Sequence, residues 1–148
     1  MFNLMQIKQI RNKKQIEQVV DLFIKVFAEP PYNEQWTREA ALKRLIEIYK
    51  GGKDFCFYAE SGKIVGAVFC RTQTWHEGVH VIGEDCVVDP AYCGKGIGAA
   101  LTRKVEEKAK EKGIVSIDLL ANTKSKAIDL WEKIGYTRNG YVQLMKKF

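Results

Sequence analysis

Three glycines at alternate positions form the clearest candidate for a ligand site in this sequence. Gly94, Gly96 and Gly98 follow a β-like run at residues 79–88 and precede a stretch with helical periodicity. A glycine-rich loop between a strand and a helix lets backbone N–H groups approach a ligand, because no Cβ atom stands in the way. The helix N-terminus adds unpaired N–H groups and a partial positive charge, so the pattern predicts an anion site of the kind that binds phosphate.

Two kinds of nucleotide-binding loop fit this pattern less well. A Walker-type loop requires Gly-Lys-Ser/Thr, whereas Lys95 lies between two glycines and no Ser or Thr directly follows them. A dinucleotide-binding loop of the G-x-G-x-x-A type matches residues 94–99, and Asp118 lies about twenty residues further on. Such a loop normally opens a doubly wound sheet, but only residues 100–148 remain after it. Dinucleotide binding therefore remains the weaker alternative.

Two longer segments resemble signatures of a known family. The segment VDPAYCGKGIG at residues 88–98 is similar to the acetyl-CoA pyrophosphate loop of the GNAT superfamily of N-acetyltransferases, which reads Arg/Gln-x-x-Gly-x-Gly/Ala after the end of a strand. The segment AIDLWEKIGY at residues 127–136 resembles the later family signature A-x-x-L-Y-E-K-L-G-F. The resemblance implies an α/β fold of the α+β kind, acetyl-CoA as the cosubstrate, and an amine as the acetyl acceptor.

Hydrophobic periodicity and turn residues predict four helices and about seven strands in the order βααβββαβαββ. The glycine loop and the helix after it connect strands 79–88 and 116–121 by a crossover, so these strands should be parallel neighbours. By the resemblance, this central pair splays apart to hold CoA within a mixed, mostly antiparallel, twisted sheet. The predicted helices lie at residues 15–27, between the N-cap Thr37 and Gly51, at 101–112 and at 125–134, where Ser125 would be the N-cap. The predicted strands lie at 5–10, 55–60, 64–74, 79–88, 116–121, 135–137 and 141–148, and those at 55–60 and 64–74 form a hairpin.

Composition indicates one domain of ordinary size over residues 1–148, with 46% hydrophobic and 28% charged residues. No apolar run is long enough to cross a bilayer, and residues 1–14 lack the order of a signal peptide, so we expect a cytoplasmic protein with no membrane partner. The formal net charge of +6 suits a polyanion such as CoA. Acidic residues are mixed among the basic ones and no nucleic-acid motif is visible, so we expect no nucleic-acid partner. The four cysteines show no metal-ligand spacing, which indicates a reducing compartment and no metal site.

The resemblance assigns the cosubstrate contacts to the loop, to the strand before it and to the second signature. Backbone amides of the loop would hold the pyrophosphate, residues 86–88 would pair with pantetheine amides as an added strand would, and the N–H near Cys86 or Val87 would meet the thioester oxygen. Two positions depart from the family pattern, because Cys93 stands where Arg or Gln is usual and Trp131 stands where a thiolate-protonating tyrosine is usual. Indole cannot supply a proton, so the general acid remains open. The predicted cosubstrate-binding residues are Cys86, Val87, Val88, Cys93, Gly94, Lys95, Gly96, Ile97, Gly98, Ala99, Asn122, Lys124 and Trp131.

Two acidic residues of strand 79–88 are the candidates for the catalytic base. Glu84 and Asp85 lie near the splayed end, where acids often deprotonate the amine in GNAT enzymes. Successive strand residues face opposite sides, so at most one of the two should face the cleft. In a regular strand Glu84 lies on the same face as Cys86. A bulge would put Asp85 on that face instead, so Glu84 ranks only slightly above Asp85 as the candidate base. The alternative for each is a charged residue that faces solvent.

The loop at residues 29–36 joins the first two helices, where the family builds its acceptor wall. Tyr32 and Trp36 could stack on an ammonium group, and Glu34 could pair with it. The alternative is that both rings pack into the core beneath a proline turn.

These features together predict transfer of an acetyl group from acetyl-CoA to a primary amine of a small molecule or a peptide, by direct attack in a ternary complex. The alternative, motivated by Cys93 and Trp131, is a GNAT-like module that binds acyl-CoA and regulates with little or no catalysis. The predicted strand at 141–148 could pair with or swap into a second copy, which makes a homodimer a hypothesis.

Overall fold

A five-stranded mixed sheet with α-helices on both faces is the framework of the computed structural model, which describes residues 4–148. The strands are β1 (Gln6–Gln9), β2 (Phe57–Glu60), β3 (Ile64–Trp75), β4 (Gly78–Val88) and β5 (Ser116–Leu119). The helices are α1 (Lys13–Ala28), α2 (Arg38–Gly51), α3 (Ile97–Glu111) and α4 (Lys126–Lys133), with short 3-10 turns at Lys53–Phe55 and Pro90–Tyr92.

Local sequence explains where the first two helices begin. Asn12 caps α1 by accepting a hydrogen bond from the Gln15 N–H (3.0 Å), and the apolar residues of α1 recur at helical spacing and are buried. Thr37 caps α2 in the same way through the Ala40 N–H (3.1 Å), which confirms the predicted cap. No helix within residues 4–148 combines the length and the apolar character that crossing a bilayer requires.

The strands follow the spatial order β1-β2-β3-β4-β5, in which the first three pairings are antiparallel and β4 pairs with β5 in parallel. The predicted β2–β3 hairpin and the predicted parallel pair are thus confirmed. One face of the sheet packs α1 and α2 around Phe23 and Phe69, and the other packs α3 around Val68 and Leu101. Over residues 4–148 the sheet has a single parallel pairing and is not doubly wound, so it does not support dinucleotide binding.

The prediction of two further strands at residues 135–137 and 141–148 is wrong, because the observed order is βααβββαβα. Residues 134–148 contain no strand, and the large apolar side chains of the last eight positions are exposed. These side chains do not alternate along the chain, so a strand here would place them on both of its faces. The homodimer hypothesis depended on a strand at 141–148, and the structure forms none there.

β4 and β5 are paired over a short stretch only. Their register runs from His80–Ser116 to Gly83–Leu119, after which β4 continues to Val88 without a strand partner on that side. The last pair is close, because a Cβ atom on Gly83 would lie 2.5 Å from Leu119 Cδ2. A cleft opens where the pairing stops.

Gly66 of β3 allows α3 to pack directly on the sheet. A Cβ atom at this position would lie 2.9 Å from Ile97 Cγ2 and 3.1 Å from the Val87 carbonyl oxygen. Ile97 is the first residue of α3, so this close contact fixes where the helix begins relative to β4.

The replacement Gly66→Ala should therefore lower the free energy of unfolding by about 1–3 kcal/mol, the usual cost of overpacking a core. Chemical denaturation of the wild-type protein and the variant measures the change. Gly51→Ala is a matched control, because a Cβ atom there meets only the Arg71 Cβ, at 3.2 Å. Equal losses in the two variants would contradict the role given to Gly66.

A polar cluster joins the beginnings of β4 and β5. His80 Nδ1 lies 2.8 Å from Asp118 Oδ2, and His80 Nε2 lies 2.8 Å from Glu77 Oε1. The Ser116 hydroxyl donates to Asp118 Oδ1 at 2.6 Å. The contact with Asp118, and then that with Glu77, raises the pKa of His80 above its ordinary value of 6.5.

Stability should depend on pH through His80. The protonated ring stabilises the fold fully below its unfolded-state pKa of about 6.5, and this contribution is lost as the pH rises through the higher pKa of the folded state. His80→Gln should therefore lose more stability against wild type at about pH 5.5 than at about pH 9. Thermal unfolding over this range tests the difference, with His76→Gln as the control outside the cluster. A loss that is constant with pH would exclude this role.

Candidate active site

The glycine loop lies between β4 and α3, in front of the first turn of the helix. Gly94 and Gly96 both have φ of +79°, and a Cβ atom at either would meet no heavy atom within 4 Å. Gly96 is the N-cap of α3, and the first helical bond runs from the Ala100 N–H to the Gly96 carbonyl oxygen (3.0 Å). The N–H groups of residues 97–99 precede that bond and have no partner within the helix. The loop thus combines open space with unpaired donors.

Positive charge surrounds the base of the loop. Asp89 is 4% exposed, and its Oδ1 accepts a hydrogen bond from the Ala91 N–H at 3.0 Å. Two lysines approach the same carboxylate: Lys25 Nζ lies 3.4 Å from Oδ1, and Lys63 Nζ lies 3.7 Å from Oδ2. The Ala91 N–H, helped by the two lysines and opposed by burial, holds the pKa of Asp89 below its ordinary value. The lysines come from α1 and from the turn between β2 and β3. Spacing along the sequence therefore gave no signal for them.

Cys93 stands where the resemblance implies Arg or Gln. It is exposed, and its Sγ lies 3.8 Å from the Asp89 carbonyl oxygen. Nearby, Lys95 Nζ and Lys63 Nζ lie 5.1 Å and 5.7 Å from the centre of the Tyr92 ring. Lys95 has no carboxylate partner among the described residues. The loop therefore has a cation beside it, although residue 93 supplies none.

The space between the walls of the cleft at β4 and β5 amounts to about 370 Å³, a volume that includes open solvent. Two of the predicted cosubstrate residues, Cys86 and Trp131, line this cleft. Val87 instead faces the core under α1 and α2, and Val88 packs towards α3. Burial raises the pKa of the Cys86 thiol to about 12 and that of the Cys70 thiol well above its ordinary value. The cleft is lined by Val68, Cys70, Gly83, Glu84, Asp85, Cys86, Thr102, Val105, Ile117, Leu119, Leu120, Trp131 and Tyr136.

Trp131 connects α4 to α3 beside the glycine loop. It is 8% exposed, and its Nε1–H donates to Thr102 Oγ1 at 3.4 Å, while the Thr102 hydroxyl donates to the Gly98 carbonyl oxygen at 2.8 Å. A Cβ atom on Gly98 would lie 3.3 Å from Leu130 Cδ2, so the two helices are close at this point. Trp131 thus packs in the cleft wall and has its one donor occupied.

Tyr136 is the tyrosine that lines the cleft. Its hydroxyl donates to Glu106 Oε2 at 2.9 Å. Burial, and then the Glu106 carboxylate, raise the pKa of Tyr136 well above its ordinary value of 10.0. A phenol held in this way is a poor acid near neutral pH.

A β-bulge places both candidate base residues at the cleft. The β3–β4 register pairs Phe69 with Asp85 and Cys70 with Gly83, so Glu84 is the extra residue of β4. Both Glu84 and Asp85 line the cleft. The expectation that at most one would face it is wrong, because the bulge breaks the alternation on which it rested.

Two arginines hold these carboxylates. Arg44 of α2 donates from Nε to Asp85 Oδ2 (2.8 Å) and from Nη2 to Asp85 Oδ1 (3.1 Å), and its Nη2 lies 3.8 Å from Glu84 Oε2. Arg71 of β3 donates from Nε to Glu84 Oε1 at 2.7 Å. Burial raises the pKa of Asp85 although the hydrogen bonds from Arg44 oppose the shift, and the Asp85 contact raises the pKa of Arg44. Sequence reasoning missed both arginines, because each lies on a different element from the acids.

Two of the three predicted acceptor residues, Glu34 and Trp36, lie beside this network. Trp36 packs edge-on against Phe23, with ring centres 5.1 Å apart, and Tyr32 packs in the same way against Phe27 at 4.8 Å. Both rings contact the core under α1 and α2. Trp36 Nε1–H donates to Glu34 Oε1 at 2.8 Å, and the Arg44 guanidinium lies 5.9 Å from the Trp36 ring centre. The structure therefore brings Glu34 and Trp36 close to Arg44.

The loop before α4 contains an unpaired buried hydroxyl. Asn122 Oδ1 accepts from the Lys124 N–H (2.8 Å), and the Asn122 carbonyl oxygen accepts from the Ser125 N–H (2.9 Å). Ser125 is the N-cap of α4, but its buried Oγ makes no cap bond and has no hydrogen-bond partner. Buried hydroxyls normally have a partner, so this oxygen is suited to meet a ligand. Sequence reasoning assigned it only a capping role.

The described part of the chain brings no three His, Cys, Asp or Glu side chains together in a way that could hold a metal ion. The remaining features are a glycine loop at a helix N-terminus, a cleft between two separating parallel strands and two carboxylates at that cleft. This is the arrangement of an acyltransferase domain, as the resemblance implied. The family model described as "Acetyltransferase (GNAT) family" matches residues 17–136, and the chain belongs to this family.

Individual relatives agree with this assignment. The chain is 34% identical over 87 residues to glucosamine 6-phosphate N-acetyltransferase of Trypanosoma brucei brucei, and the match spans 57% of each protein. A possible acetyltransferase from Clostridium difficile 630 has a similar structure, with a TM-score of 0.79 and 16% identity over 98% of both chains. Aminoglycoside N-acetyltransferase AAC(6′)-Iy, solved in complex with CoA, gives a TM-score of 0.75 and 19% identity over 98% of this chain and 95% of that one. At these identities the two structures show the shared fold.

Proposed function

We propose that this protein transfers the acetyl group of acetyl-CoA to a primary amine of a small molecule, by direct attack in a ternary complex. The observation that carries the proposal is the open glycine loop at the start of α3, next to a cleft that holds Glu84 and Asp85. The family assignment supports the reaction class. The names of two relatives, which specify glucosamine 6-phosphate and aminoglycosides, support a small-molecule amine.

The residues present fit acetyl-CoA as the cosubstrate. N–H groups of residues 97–99 and the left-handed backbone at Gly94 and Gly96 suit the pyrophosphate, with Lys95 as the nearby cation. Ser125 Oγ offers an unpaired buried donor at the start of α4. The free side of β4 after Gly83 offers backbone groups to the pantetheine amides, as at a sheet edge.

Acetyl-CoA supplies the acetyl group as a thioester, and the protein must manage two charges. Backbone N–H groups near Cys86 and Val87 would stabilise the negative charge that develops on the carbonyl oxygen. The acceptor amine must be neutral to attack, which requires a base. Glu84 suits this role better than Asp85, because both Asp85 oxygens accept hydrogen bonds from Arg44, whereas Glu84 accepts one through Oε1 and Arg44 Nη2 lies 3.8 Å from its Oε2.

The leaving thiolate needs no strong acid from the protein. Trp131 donates only to Thr102 and cannot lose its proton, and the Tyr136 hydroxyl donates to Glu106. A thiolate is a stable leaving group at neutral pH compared with an alkoxide, because a thiol has a pKa of about 8.5. We therefore assign Trp131 to packing beside the cosubstrate.

The first experiment tests the glycine loop with Gly96→Asp. Acetyl-CoA at about 100 times its Kd should stabilise the wild-type protein by about 2.7 kcal/mol, and a carboxylate in the loop should abolish this shift by repelling the pyrophosphate. Thermal unfolding with and without acetyl-CoA measures this stabilisation. Detection of the thiol released in the presence of a panel of amines measures turnover.

Gly113→Asp is the matched control, because Gly113 lies at the other end of α3 with φ of +72° and equal open space. Equal loss of the acetyl-CoA shift in both variants would show a general effect of the substitution. Binding of acetyl-CoA without turnover of any amine would favour the regulatory alternative. If acetyl-CoA does not stabilise the wild-type protein, both the transferase proposal and the regulatory alternative are overturned.

Glu84→Gln tests the proposed base. Removal of a general base lowers kcat by about 10²–10⁴-fold, so this variant should lose activity to that extent while its acetyl-CoA shift persists. Asp85→Asn should reduce stability more and kcat less, because it deprives Arg44 of its bidentate partner. The pH dependence of kcat for both variants provides the measurement, and a greater loss in Asp85→Asn would assign the base to Asp85 instead.

A further inference from the structure

The acids at the cleft are largely neutralised by protein cations. Glu84 contacts both Arg71 and Arg44, and Asp85 is held by Arg44 through two hydrogen bonds. Glu34 approaches from the loop before α2 and contributes a third carboxylate near Arg44. Two guanidinium groups therefore offset most of the charge of three carboxylates. An electrostatic site for a polycation would leave its acids unpaired.

The two arginines keep donors that the protein does not use. Arg44 engages Asp85 through Nε and Nη2 only, and Arg71 engages Glu84 through Nε only. Within residues 4–148 neither Arg44 Nη1 nor either Nη atom of Arg71 donates a hydrogen bond. Their side chains are 36% and 38% exposed, so part of each side chain is open to solutes. A planar guanidinium group presents paired donors that match a carboxylate or a phosphate.

The arginine donors lie close to the proposed base. Glu84 lines the cleft, and one carboxylate group joins it to both guanidinium groups. An amine placed to give its proton to Glu84 would therefore have Arg44 and Arg71 as immediate neighbours. The unused donors of the two guanidinium groups would bind an anionic group there, whereas they offer no acceptor to a second ammonium group.

We propose that Arg44 and Arg71 bind an anionic group of the acceptor, so that the acceptor is a small amine that also carries a carboxylate or a phosphate. This inference rests on the proposed function and narrows its substrate class. It assigns the specificity to two residues from α2 and β3, on the face of the sheet that packs α1 and α2.

Acceptors matched in their amine test the proposal. The pairs are 4-aminobutanoate with 1,4-diaminobutane, phosphoethanolamine with ethanolamine, and glucosamine 6-phosphate with glucosamine. A charge-assisted hydrogen bond gives about 10–100-fold discrimination, so kcat/KM for the anionic member of at least one pair should exceed that of its partner by this factor. The first pair reports on a carboxylate, and the other two report on a phosphate.

The variants Arg71→Gln and Arg44→Lys link the preference to these residues. The ratio of kcat/KM within the preferred pair should fall to near one in Arg71→Gln. It should also fall in Arg44→Lys, because lysine keeps the positive charge but lacks the paired donors of a guanidinium group. Arg138→Gln is the matched control, because Arg138 pairs with Glu132 on the surface at 3.3 Å, whereas Arg44 and Arg71 pair with the acids of β4. Its ratio should equal that of the wild-type protein.

Calorimetry with CoA and the same amines separates this inference from the transferase proposal. Tighter binding of the anionic amine in wild type but not in Arg71→Gln, without turnover of any amine, would support the arginine site and overturn the transferase. Turnover with preference for the neutral or dicationic member, or a preference that persists in both arginine variants, would overturn the arginine site alone. Absence of both binding and turnover would overturn both proposals.

Discussion

The end of pairing between β4 and β5 is the constraint on which the site depends. Parallel hydrogen bonding stops at Gly83–Leu119, and the next residue of β4, Glu84, is a bulge. The interruption leaves backbone groups of β4 without a strand partner and opens the cleft. The bulge also brings two consecutive acidic side chains to the same region, which a regular strand would place on opposite faces.

Helix α3 relates this cleft to the glycine loop. Its first residue, Ile97, packs against Gly66 of β3, while its first turn supplies the unpaired N–H groups. One turn later Thr102 connects the Gly98 carbonyl oxygen to Trp131 of α4. The donors for an anion, the cleft wall and the sheet are thus fixed by a single rigid element, so a ligand that spans loop and cleft meets groups at set distances.

The sequence allowed prediction of those features that depend on neighbouring residues. Periodicity located α1 and α2, the Thr37 cap and the β2–β3 hairpin, and the crossover required β4 and β5 to be parallel. The loop was recognisable because its backbone needs glycine. The bulge at Glu84 and the partners Arg44, Arg71, Lys25 and Lys63 were not predictable, because they depend on contacts between distant elements. The two C-terminal strands were predicted from short segments on either side of turn residues, and such segments form strands only where a sheet edge and face accept them.

The two thiols of the cleft have a consequence for the chemistry of the protein itself. A thioester held between β4 and β5 would lie near Cys86 and Cys70, and thiols exchange acyl groups with thioesters through their deprotonated form. Desolvation raises the pKa of both thiols, which favours their protonated form. Acyl transfer to these cysteines from a thioester in the cleft is therefore disfavoured, and a substitution that exposes them further to water would favour it.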